Sequence, residues 1–66
     1  MLSNREVVLL IIEAMFDQGE WFYAADIPYK NASKRHNALA SLVAASVLDR
    51  KPGAGSREWL YQYARR

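Results

Sequence analysis

Apolar positions in the first third of the chain recur with the period of a helix. Val8, Ile11, Ile12 and Met15 share one face, and Glu6, Glu13 and Asp17 lie opposite. Ser3 followed three residues later by Glu6 is a capping-box pattern, in which each side chain satisfies a backbone donor at the helix start. The pattern predicts a helix over residues 4–18, stopped by Gly19. A second stripe of Ala38, Leu39, Leu42, Val43 and Ser46 predicts a helix capped by Asn31 or Ser33 and running to about residue 45. Between the two, Trp21, Phe22 and Tyr23 form a short extended piece or turn. Residues 24–27 have room for one or two helical turns only, because Pro28 disfavours helix at Ile27. The period then changes. Val47-Leu48 opens an extended stretch through Asp49, Arg50 and Lys51, Pro52-Gly53-Ala54-Gly55-Ser56 makes a turn, and Glu58 to Tyr63 alternates. That alternation puts Trp59, Tyr61 and Tyr63 on one strand face. The expected order is helix, short strand, short helix, longer helix and β-hairpin: one α+β domain over residues 1–66.

The first helix carries more apolar surface than one buried stripe needs. With Val8 at zero on a helical wheel, Val7, Leu10 and Ala14 fall between roughly 200° and 260°, beside the polar stripe. The rest of the domain or a second copy of the chain would bury them. Self-association suits so short a chain, which buries a small fraction of its surface. Other staples are missing: 66 residues include no cysteine and a single histidine, His36, which excludes disulfides, zinc fingers and thiol catalysis. Trp21, Phe22, Trp59, Tyr61 and Tyr63 are expected to fill the core, the other reading being a stacking platform for single-stranded bases.

Charge divides the chain in two. Residues 1–29 hold one basic side chain against five acidic ones, and residues 30–66 hold eight basic against two acidic. Such polarity either presents a basic surface to nucleic acid or simply solvates a small domain. The run from Val7 to Ile12 is too short to span a bilayer, and no cleavage site follows it. A soluble, cytoplasmic protein without a membrane partner is expected. His36 has no nucleophile beside it, and Gly53 and Gly55 precede no helix that would make a phosphate loop. No enzyme activity, metal, cofactor or small-molecule substrate is expected.

The segments WFYAADIP (residues 21–28) and SKRHNALASLVAASVLDRKPGAGSREWLYQY (residues 33–63) resemble the winged helix-turn-helix family. The first is similar to the family's short strand leading into a second helix. The second is similar to its recognition helix, wing strands and wing tip. Together with the first helix the likeness covers nearly the whole chain. It implies three helices with a C-terminal hairpin wing, and a partner that is double-stranded DNA. One departure stands out: Arg35 lies four positions before Leu39, where many members carry an apolar residue. The likeness implies a recognition helix over about residues 32–45 in the major groove, reading bases with Ser33, Lys34, Asn37 and Ser41. Arg35 and His36 flank it toward the phosphates. Arg50, Lys51 and Arg57 of a wing over about residues 50–57 would meet the backbone or minor groove, with Arg65 and Arg66 adding reach. A small repressor or accessory regulator of phage or plasmid type is expected, dimerising through Val7, Leu10 and Ala14 and associated with the nucleoid. The competing expectation is a protein-interaction adaptor that uses the apolar first helix.

Overall fold

A computed structural model of the chain describes residues 2–55 and 58–63. The first helix, α1, spans Asn4–Met15, and its capping box forms as expected. Ser3 Oγ accepts from the Glu6 amide at 3.2 Å, and Glu6 Oε1 accepts from the Ser3 amide at 3.4 Å. The helix ends three residues earlier than its pattern predicts. Phe16 turns extended, with φ −124° and ψ 140°, and its ring stacks on Phe22 with centroids 4.2 Å apart. Gly19 is not the helix stop. It takes φ +86° in the following turn, where its amide donates to the Tyr63 carbonyl at 3.0 Å and its carbonyl accepts from Gln62 Nε2 at 2.7 Å. The Phe22 stack and the Gly19 bonds to Tyr63 and Gln62 act at this boundary together with a local turn, in which the Asp17 amide donates to Glu20 Oε1 at 3.1 Å. Met15, expected in the core, is consequently 50% exposed at the helix end.

Strand β1 (Trp21–Tyr23) leads into a 3-10 turn over Ala24–Asp26. This corrects the expected three helices: the described residues hold two α-helices, and the middle one is a single tight turn. Asp26 accepts from the Tyr23 amide at 3.0 Å, closing the turn, and Pro28 lets nothing longer form. Ile27 at its end is buried.

The second helix, α2, spans Ala32–Ala44 and is capped by Asn31, whose side chain accepts from the Lys34 amide at 3.0 Å. Ala38, Leu39 and Leu42 are buried, and Val43 packs partly against them. Ser46 does not extend this stripe. It is exposed, takes φ +62°, and closes the helix with a Schellman pair of bonds. The Ser46 amide donates to Val43 at 3.0 Å and the Val47 amide to Leu42 at 2.9 Å.

Strands β2 (Leu48–Pro52) and β3 (Trp59–Tyr63) form the hairpin, and β1 adds to the other edge of β3. The sheet is antiparallel in the order β1-β3-β2, with Phe22 and Arg50 both opposite Tyr61. Partners across a ladder share a face, so Phe22, Leu48, Tyr61 and Tyr63 form the sheet's core side. Val8 and Ile12 from α1, and Leu39 and Leu42 from α2, complete the same cluster.

Candidate nucleic-acid interface

With Ala38, Leu39 and Leu42 turned inward, the outer side of α2 carries Ser33, Lys34 and Asn37, all exposed, together with His36. Ala40 and Ala44 continue that surface as small exposed side chains. Ser41 departs from expectation. It is half-buried toward α1, and its hydroxyl accepts from Arg5 Nη1 at 3.4 Å. A serine engaged between two helices is poorly placed to read a base.

Neighbouring residues on a strand point to opposite faces, and this separates the two hairpin cations. Arg50 lies on the α2 side, with its guanidinium 4.5 Å from the centre of the Trp59 ring. Lys51 lies on the other side, with its ammonium 4.2 Å from the centre of the Trp21 ring. Arg50 and Lys51 therefore do not act as one patch. Arg57, expected beside them, lies outside the described residues, as do Arg65 and Arg66. Lys51 belongs to an outer sheet face shared with Trp21, Tyr23 and Leu60, which the sequence pattern does not assign to any partner.

Arg35 is the other surprise. It stands one helical turn before Leu39 and nearly two before Leu42, so it shares their stripe and not the solvent flank. It is half-buried; Nη1 donates to the Ile27 carbonyl at 3.5 Å, and Nε is enclosed without any hydrogen-bond partner. Arg35 and His36 of α2 line a crevice of about 210 Å³ together with Trp59 and Tyr61 of the hairpin and with Ala24 and Ala25. The sequence pattern places the hairpin aromatics Trp59, Tyr61 and Tyr63 in the core. Tyr61 is core, at 2% exposed, but Trp59 is 39% exposed and forms a wall of this crevice. The legible signal was the arginine in an apolar stripe.

Tyr61 has its phenol pKa raised by burial, an effect that the nearby Arg50 guanidinium partly opposes. It is thus a neutral donor at physiological pH. On α1, Val7 is half-buried, Ala14 is exposed and Leu10 is 53% exposed. No described helix is long and apolar enough to cross a membrane.

No family model matches the chain, and neither does any curated protein or solved structure compared with it.

Proposed function

We propose that the protein is a small double-stranded-DNA-binding regulator of the winged helix-turn-helix type, acting in the cytoplasm at the nucleoid as a repressor or accessory factor, without catalysis of its own. The observation that carries this reading is the exposed first half of α2, with Ser33, Lys34 and Asn37, standing beside a hairpin that turns Arg50 toward the same helix. An α-helix fits the major groove, and its first turns meet the base edges. Asn37 offers the paired donor and acceptor that adenine presents in reverse, and Lys34 reaches guanine or a phosphate. His36 and Arg50 meet the backbone to either side. Lys51 and Ser41 are left out of this interface, for they face Trp21 and Arg5 respectively.

A domain with so few base contacts gains from a second copy. Val7, Leu10 and Ala14 are spaced 3 and 4 residues apart and form a narrow seam on α1 through which two protomers would pair. The same exposed leucine favours the second reading, an adaptor that binds another protein through α1.

Fluorescence anisotropy with mixed-sequence duplex DNA across a salt series separates the two. The regulator weakens steeply with salt, and Lys34→Ala and Arg50→Ala each lower the log–log slope by about 0.9. Asn37→Ala leaves that slope unchanged and relaxes preference at one base pair by roughly 1–3 kcal/mol. No binding at low salt overturns the regulator and leaves the adaptor.

A further inference from the structure

The crevice between α2 and the hairpin gathers hydrogen-bond donors that the fold does not use. Arg35 Nε is enclosed with no acceptor, and Nη1 has only its long 3.5 Å contact to Ile27. An unpaired buried donor costs more than the bond it forgoes, so an arginine in an apolar stripe asks for a reason. Tyr61, 2% exposed, lines the same crevice, and no described residue is a hydrogen-bond partner of its hydroxyl. His36 adds a third group at the rim. Two unpaired donors, one of them permanently cationic, select an acceptor-rich anion.

We infer that this crevice is a binding site for the phosphate of a nucleotide, with Arg35 and Tyr61 as its donors. Phosphate alone would leave much of about 210 Å³ unfilled. The remaining space is bounded by Trp59, whose ring also carries the Arg50 guanidinium 4.5 Å from its centre, and that wall suits the sugar or base attached to the phosphate. Glu58, the acidic residue of the lining, has its carboxylate near Gly55 at the hairpin tip. The long Nη1 contact holds the guanidinium loosely, and binding requires it to turn until its donors meet the incoming oxygen. The nucleotide is either one unit of a DNA strand, in which case the inference rests on the regulator reading, or a free mononucleotide.

The test uses the full chain, Arg35→Leu and Tyr61→Phe. Each is titrated with duplex DNA by anisotropy across a salt series, and with thymidine monophosphate by tryptophan emission. Thermal melts run alongside. Leucine suits the apolar stripe, so Arg35→Leu is expected to melt at or above the wild-type temperature. It should weaken the phosphate ligand at least about tenfold and, on DNA, lower the salt slope by about 0.9. Tyr61→Phe keeps the ring and loses affinity with the slope unchanged, because the lost donor is neutral. Wild-type DNA binding that Arg35→Leu retains with the same affinity and slope, with no mononucleotide response, overturns the site. If the wild type does not bind DNA, the regulator reading fails by itself. The phosphate site then stands on an emission change with thymidine monophosphate that Arg35→Leu abolishes, and falls without one.

Discussion

Ser46 holds a left-handed backbone with φ +62° at the end of α2, a conformation that an L side chain adopts at a cost. Both bonds of the Schellman closure depend on it, so the strain persists because the helix end requires it. Ser46→Gly keeps the same bonds without the steric penalty. It is expected to stabilise the protein by about 0.5–1 kcal/mol, read as a higher urea midpoint at unchanged m-value. Tyr61 makes a prediction of a different kind. Burial pushes its phenol pKa in the folded protein above the ordinary 10.0. The folded state therefore holds the phenol proton more tightly than the unfolded chain does. That contribution is complete below pH 10 and is lost as pH rises through the raised folded value. Denaturant midpoints should fall over that alkaline range, and Tyr61→Phe should flatten the fall. Arg35 shows what a single side chain changes: charge in the sequence suggests a surface residue, yet its place one turn before Leu39 draws it between the helix and the hairpin.

The two α-helices begin where their caps stand; α1 ends among tertiary contacts and α2 at its own Schellman closure. Ser3 and Asn31 each accept from the amide three residues on, and both starts are readable from residue type and spacing. Ser3→Ala removes one side of the capping box and is expected to cost about 1 kcal/mol in a thermal or urea melt. The end of α1 combines a local turn, in which Glu20 accepts from the Asp17 amide at 3.1 Å, with distant contacts. The Phe16–Phe22 stack and the bonds from Gly19 to Tyr63 and Gln62 are the distant ones, and all three partners lie on strands. The expected middle helix shrinks to a 3-10 turn for a local reason that the sequence does carry, Pro28, combined with the Asp26 side-chain bond. The second hairpin strand is legible from its alternation, and the first from the Val47-Leu48 pair and the Pro-Gly turn that follows it. Pairing β1 with β3 is not, since a three-residue strand has too little pattern to name its neighbour.

Across the molecule, the acidic first half and the basic second half do not become two simple surfaces. Of the cations, Arg5 reaches Ser41, Arg35 turns inward, and Arg50 and Lys51 sit on opposite sides of the sheet. The outer side of α2 keeps Ser33, Lys34 and Asn37 exposed, while α1 presents Leu10 at 53% exposed, with Leu2 just ahead of the helix at 52%. If α1 pairs two protomers, the wild type sediments as a dimer and Leu10→Glu as a monomer at tens of micromolar, with weaker binding to a two-site duplex. A wild-type monomer at that concentration, both free and on DNA, excludes the α1 dimer.

Helix starts, the hairpin turn, the α+β class and most of the core follow from periods and caps, because those signals act over a few residues, through side-chain polarity and cap bonds that need no distant partner. Val8, Ile12, Leu39 and Leu42 are buried as their spacing requires. The facing of Ser41, Arg35, Lys51 and Trp59 came from packing. Each sits at a position whose exposure depends on which neighbour arrives: α1 beside Ser41, the hairpin beside Arg35, α2 beside Trp59, and Trp21 of β1 reached by Lys51 across β3. A helical wheel places a residue by angle, but only the neighbouring elements determine whether that angle meets water, a helix or a strand.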